Sequence, residues 1–251
     1  MIKLSAVIIA FNEEKHIARC IESLNEVADE VIVVDSFSHD NTVEIAKRLG
    51  AIVFQHAFKD YSQQKNYGNA QASHHWILSL DADECLSDAL KQSILKVKSN
   101  PQHDAYTMNR LNNFCGQWIK HGTWYPDKKL RMWNREKGKW NGEIHEKVEM
   151  QSGSSVGHLN GDLLHYTVES VEAYRKQLEK FSDASAHEMF RAGKKTNALV
   201  GNSKTAFAFV RSYVLRLGLL DGYNGFRVAY YNALNVKLKH DKLQRLYKDC
   251  C

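Results

Sequence analysis

Trp76-Ile77-Leu78-Ser79-Leu80-Asp81-Ala82-Asp83-Glu84 is an apolar run that breaks into acids. The run has the length of a buried strand, and open α/β sheets bind ligands beyond the carboxyl ends of their strands. Asp81 and Asp83 are two apart, so they share a face in a strand and both reach one cation in a turn. Mg²⁺ and Mn²⁺ take oxygen ligands of this kind and often share them with substrate phosphates. A solvated turn leading into a helix over 87–97, with Glu84 and Asp88 near its positive end, accounts for the same residues.

Two upstream segments repeat the arrangement. Residues 4–10 read as a strand that leaves through Phe11-Asn12-Glu13-Glu14 into a helix over 15–24, with Ile17, Cys20, Ile21 and Leu24 as its apolar stripe and Asn12 as its N-cap. Residues 30–34 read as a second strand, which exits through Asp35 and Ser36 toward a helix over 43–49 that Gly50 closes. A short strand over 51–54 and a helix over 62–72 follow. This alternation predicts a parallel sheet with helices on both faces, aiming polar groups from three strands at one rim.

The 251 residues, 43% hydrophobic, suffice for one α/β core with an appendage. A net charge of +5 favours anionic partners without choosing among nucleotides, lipids and nucleic acid. No GxGxxG and no GxxxxGK[ST] occurs, which removes the usual support for hydride transfer or a P-loop ATPase. Five cysteines without CxxC or a disulfide-framework spacing fit a reducing cytoplasm. The first residues do not read as a signal peptide and no apolar stretch has the length of a membrane span, so the expected location is cytoplasmic, at the inner face of the membrane if it binds one.

After Pro101 the pattern changes to shorter strands rich in aromatics. Most of these rings are expected in the core, but Trp118 and Trp124, flanking Lys120-His121-Gly122, suit stacking on a sugar or base. The last third reads as helical, with a helix over 171–190, a basic hinge over 191–195, and apolar positions among Lys204, Arg211, Arg216 and Arg227 beyond it. Such helices fit an anionic bilayer surface, and packing on the catalytic domain or in a homodimer explains the pattern equally. Cys250-Cys251 is expected to be a frayed tail.

Four pieces in order, Val7-Ile8-Ile9-Ala10-Phe11-Asn12-Glu13-Glu14, Val33-Val34-Asp35-Ser36-Phe37-Ser38-His39-Asp40-Asn41-Thr42, Gln64-Lys65-Asn66 and Leu80-Asp81-Ala82-Asp83-Glu84, resemble the inverting family-2 glycosyltransferases of GT-A fold. His121-Gly122-Thr123-Trp124-Tyr125-Pro126-Asp127, His145-Glu146 and Leu219-Leu220-Asp221-Gly222 resemble the branch that adds glucose to the inner core of lipopolysaccharide. The resemblance implies a UDP-sugar donor, a Mg²⁺ or Mn²⁺ cofactor, and a glycolipid or saccharide acceptor. It implies that Asp35, Asn12 and Glu13 line the nucleotide pocket and that Lys65 lies near the diphosphate. Asp81 and Asp83 match the DXD element, and His165 resembles a histidine that approaches the metal or diphosphate, though a core or capping histidine fits as well. Glu146 matches the acidic base, with Asp127 as its alternative. Phe37 and His39 depart from the glycine and threonine common after the first acid, and Ser36 replaces a frequent second aspartate.

The expected architecture is therefore an α/β GT-A domain, Rossmann-like with a mixed sheet, over 1–200, with a nucleotide-sugar half near 1–100 and an acceptor half near 101–200. A helical C-terminal appendage over 201–251 completes it. A capsule or exopolysaccharide transferase using another nucleotide sugar is the same-fold alternative. A nucleotidyltransferase is the different-class one, but it would carry a glycine-rich basic loop where Phe11-Asn12-Glu13-Glu14 stands. A nucleic-acid module is disfavoured because the basic residues are scattered along the chain.

Overall fold

Strand β1 (Leu4–Ala10) buries side chains on both faces, as a central parallel strand must. In the computed structural model, which describes residues 1–142 and 146–249, Leu4, Ala6, Ile8 and Ala10 join one apolar cluster, and Val7 points into another. The chain divides into two units, residues 1–110 with 128–165, and residues 111–127 with 166–251.

In the first unit β1 is flanked in parallel by β2 (Glu30–Asp35) and β4 (Trp76–Asp81), and β3 (Ile52–Gln55) continues beyond β2. Helices α1 (Ile17–Ser23), α2 (Thr42–Arg48) and α4 (Asp88–Ser99) send Ile17, Ala46, Leu90 and Ile94 into the first cluster. Helix α3 (Tyr61–Gln71) lies against β1 and β2. It comes close because residue 68 is glycine: a Cβ there would stand 2.5 Å from Val7 Cγ1 and 2.8 Å from Val34 Cγ2.

Beyond β4 the sheet turns antiparallel with β8 (Asp127–Asn134), then continues through β6 (Ala105–Phe114) and β11 (Val156–Val168) to the short β5 (Glu84–Leu86). It is therefore mixed, as expected. β6 and β11 have 10 and 13 residues, so the expectation of shorter strands after Pro101 is corrected. The weak alternation of β11, broken at Gly161 (φ +96°), hides its length from a sequence pattern. A ribbon of β9 (Gly138–Asn141) and β10 (Lys147–Met150) completes this unit.

Asn12 is not a helix cap. Helix α1 starts after His16, and Asn12 sits at φ +56° in the loop before it. Its N–H donates to Ser38 Oγ (2.9 Å) and its Oδ1 accepts the His39 N–H (2.8 Å), so the residue ties the β1 exit to the β2 exit. Ser87, by contrast, caps α4 by accepting the Leu90 N–H.

In the second unit β7 (Gln117–Ile119) pairs with residues 112–114 of β6, and α5 (Val171–Arg191), α6 (Ala198–Val210) and α7 (Gly222–Asp249) pack together. The expectation of helices in the last third holds. Trp124, expected as an exposed platform, instead packs edge-on against Phe114 and Tyr174, with both ring centroids 5.8 Å away, and its Nε1 donates to Asn232 Oδ1. Trp118 meets Tyr166 edge-on at 5.0 Å. The two quoted motifs of this region interlock, since Asp221 accepts the His121 N–H at 2.8 Å and pairs with His121 Nδ1 at 2.9 Å.

Candidate functional site

The parallel register places Asp35 beside Ala10 and Asp81 beside Ile9, so both acids flank the exit of β1. Asp35 is fully buried and accepts the Ser38 N–H (3.0 Å) and Gln55 Nε2 (3.4 Å). It shapes the loop that carries Phe37, itself left-handed at φ +61°. A bulky residue in that region is strained and persists only where its surroundings hold it. The Glu13 N–H donates to Thr42 Oγ1 at 2.8 Å, a second tie between these loops.

One turn before Gly68, α3 presents Lys65, whose side chain has no exposed surface. Its Nζ lies 3.0 Å from Asp81 Oδ1, 3.1 Å from Glu146 Oε1 and 4.5 Å from the centroid of Trp140. Arg131, on β8, reaches Asp81 Oδ2 at 3.0 Å and Glu84 Oε1 at 3.1 Å. The Asp81 N–H donates to Glu84 Oε2 at 3.0 Å. Burial alone would raise the Asp81 carboxyl, but the guanidinium of Arg131 and the ammonium of Lys65 hold it far below the usual carboxylate range. Arg131 is held as firmly in its charged form: burial opposes the charge, and Glu84 and Asp81 outweigh it.

Asp83 pairs with His165, with 3.2 Å between Oδ2 and Nε2, and the imidazole is close enough to act on the Asp81 carboxyl as well. The antiparallel register of β5 and β11 makes that pair by setting His165 opposite Glu84. Beside the cluster opens a cavity of about 380 Å³, lined by Asp81, Arg131, Trp140 and Glu146 among others. Among the described residues, two buried donors on its wall, Arg131 Nε and Trp140 Nε1, lack a hydrogen-bond partner.

The structure thus brings Lys65, Asp81 and Glu146 together, pairs Asp83 with His165, and gathers Asn12, Glu13 and Asp35 at the β1–β2 exit. Asp127 opens β8, at the last residue of a segment of the second unit. Glu143, Ile144 and His145 lie outside the described residues, as do Cys250 and Cys251.

Sequence reasoning missed Arg131, Trp140 and the real place of Glu84. Glu84 does not serve a helix end; it is a buried strand residue between Arg131 and Arg110. The signal for Trp140 is Asn66, next to Lys65, whose side chain accepts the Trp140 N–H (3.1 Å) and donates to its carbonyl (2.9 Å).

The pattern of Glycosyl transferase family 2 matches residues 5–150, and the chain belongs to that family. It is 31% identical to an uncharacterized glycosyltransferase of Rickettsia typhi over 98% of this chain and 88% of that one. It is 26% identical to the lipopolysaccharide core biosynthesis glycosyltransferase LpsC of Rhizobium meliloti, over 94% and 93% of the two chains. Its fold resembles that of the mannosyltransferase PcManGT from Pyrobaculum calidifontis, solved in complex with GDP-Man and Mn²⁺, with a TM-score of 0.57 and 12% identity over 97% of this chain and 87% of that one. The protein is therefore a glycosyltransferase with a GT-A-like mixed sheet and a helical C-terminal region.

Proposed function

We infer that the protein transfers a hexose, glucose in the first instance, with inversion from a UDP-sugar to a lipopolysaccharide-core or other envelope glycan acceptor. The observation that carries this reading is the buried Lys65 held between Asp81 and Glu146, two acids that line the cavity. Lys65 orients the Glu146 carboxylate, which takes the proton from the acceptor hydroxyl as its oxygen bonds to the anomeric carbon. The bond from that carbon to the diphosphate breaks on the opposite side, and its electron pair leaves with UDP.

The residues present fit a divalent cation shared with substrate. Among the described residues no group of three or more His, Cys, Asp or Glu converges as a closed metal site. Asp83 and His165 are the residues that would hold such a cation together with substrate oxygens, the mode in which Mg²⁺ is commonly held. A cation bound there would neutralise the leaving diphosphate as a Lewis acid. Asp81, with each oxygen facing a fixed cation, serves more to position Lys65 and Arg131 than to bind metal. Asn12, Glu13 and Asp35 form the floor of the nucleotide pocket. The partner-free Arg131 Nε and Trp140 Nε1 support a ligand rich in acceptor oxygens. The relationship to LpsC supports an envelope acceptor, and a lipid-linked acceptor would bring the enzyme to the inner face of the membrane.

Calorimetric titration of UDP with and without Mn²⁺ tests the donor, and transfer by Glu146→Gln tests the base. Metal-enhanced UDP binding, lost in Asp83→Ala and kept in a Glu146→Gln enzyme that no longer transfers, is expected. Binding of GDP in place of UDP would overturn the donor, and near-parental transfer by Glu146→Gln would pass the base to Asp127.

A further inference from the structure

Helix α6 reads Ala-Leu-Val-Gly-Asn-Ser-Lys-Thr-Ala-Phe-Ala-Phe-Val, yet Gly201 is its only buried residue. Gly201 lets α6 rest on α7, where a Cβ would meet His240 Cβ at 3.2 Å, and Phe209 reaches Phe226 at 5.8 Å. The outward side remains apolar: Leu199 is 76% exposed and Phe207 60%. The segment after α6 extends this face. It runs through a π-helical turn (Arg211–Leu215) and a 3₁₀ turn (Gly218–Asp221), joined by Leu217 in the left-handed region at φ +56°. Leu215, Leu217, Leu219 and Leu220 are all exposed there, Leu215 at 64%. The tip is anchored from beneath, since the Gly122 N–H donates to the Arg216 carbonyl and Asp221 is clasped by the Lys120 and His121 N–H groups.

The charges choose what covers such a face. From Ala192 to His240 the chain has eight lysines and arginines and one carboxylate, Asp221, which is buried on His121. The net charge of the whole chain is +5, so the remainder is slightly acidic; the basic residues are spread along the chain, but here they stand almost without acids to offset them. A second copy of the same surface would repel it, and a protein partner would need an unusually acidic rim around an apolar centre. A bilayer with anionic headgroups supplies both layers at once: acyl chains for the leucines, phosphates for Lys204, Arg211, Arg216 and Arg227. Exposed Tyr223 and Tyr230 suit the headgroup level between them. No described helix is long and apolar enough to cross a membrane, so the contact is interfacial.

We propose that the leucine tip at residues 215–220, together with the outer face of α6, inserts into the surface of an anionic lipid bilayer. The proposal does not depend on which sugar or base the reaction uses. Its test is flotation of the full chain with vesicles of phosphatidylethanolamine, alone or mixed with phosphatidylglycerol. Binding to the mixed vesicles only is expected. Leu215→Ser/Leu220→Ser should weaken it by about tenfold or more, because the apolar area inserted sets the affinity. Arg211→Glu/Arg216→Glu should remove the preference for phosphatidylglycerol. All four side chains are exposed, so both variants should keep the parental circular dichroism and UDP titration. Salt-sensitive binding indifferent to the leucine change would overturn insertion. Failure to float, with a concentration-dependent dimer in sedimentation that the leucine variant abolishes, would hand the face to a second copy. Failure to float without a dimer would equally overturn the proposal.

Discussion

Replacing Arg131 by methionine removes a buried cation from between two carboxylates while keeping an unbranched apolar stem. The gross attraction across 3.0 Å to Asp81 is large, about 5 kcal/mol at an effective dielectric near 20. Part of it returns because the guanidinium is no longer desolvated, and removing one member of a buried pair costs about 3–5 kcal/mol when the other is left alone. Here neither acid is left alone: Asp81 keeps Lys65 at 3.0 Å, and Glu84 keeps Arg110 at 3.4 Å. The expected loss is therefore about 2–4 kcal/mol, read from urea unfolding followed by tryptophan fluorescence at neutral pH. The pH dependence gives a second handle. The folded carboxyl of Asp81 titrates below its unfolded value, so its contribution is present above the unfolded pKa and is lost as pH falls toward the folded one. Without Arg131 the folded value rises toward the unfolded one, so the acid-dependent loss becomes smaller and is complete at higher pH. Arg131→Met/Asp81→Asn should recover part of the loss, with a coupling of about 1–3 kcal/mol. Strictly additive effects, or a single variant within about 0.5 kcal/mol of the parent, would refute the coupled cluster.

Three further outcomes follow from the geometry. Gly68→Ala would push α3 off Val7 and Val34 and should cost about 1–3 kcal/mol of stability in a urea melt while lowering turnover by displacing Lys65. Lys98, whose Nζ donates to the Val27 carbonyl (2.6 Å) and Asp29 (2.7 Å), ties the end of α4 to the segment that leads into β2; Lys98→Met should cost about 2–4 kcal/mol by the same assay. The hydrogen bond from Lys137 holds the Asp104 carboxyl at about 2, with Ser155 contributing. An NMR titration should show that midpoint in the parent and a return toward the ordinary value in Lys137→Met, so this pair's stabilisation is lost only as pH falls toward 2.

The first half of the fold is legible because each strand there is an apolar run closed by polar residues. Asp35 and Asp81 lie at the rim for that reason. Lys65 is legible only as part of a motif, since nothing about a lysine in a polar helix announces that it is wholly buried. Arg131 and Trp140 are invisible locally: one arrives through the pairing of β8 with β4, the other through two hydrogen bonds to Asn66, 74 residues away. Trp124 misled because a tryptophan among polar neighbours has the same sequence signature whether it faces solvent or packs on Phe114. Asn12 misled because a cap and a left-handed loop residue draw on the same side-chain chemistry.

The ladder between β5 and β11 has three residue pairs, ending in His165 opposite Glu84. Side chains alternate along a strand, so adding or deleting one residue within 156–164 would turn the imidazole to the opposite face and separate it from Asp83. The turn at 151–155 precedes the strand and carries no such constraint. Length changes should therefore be absorbed there in relatives and engineered variants alike, and the count from Val156 to His165 becomes a ruler for the distance between a histidine and an aspartate that are 82 positions apart in the chain.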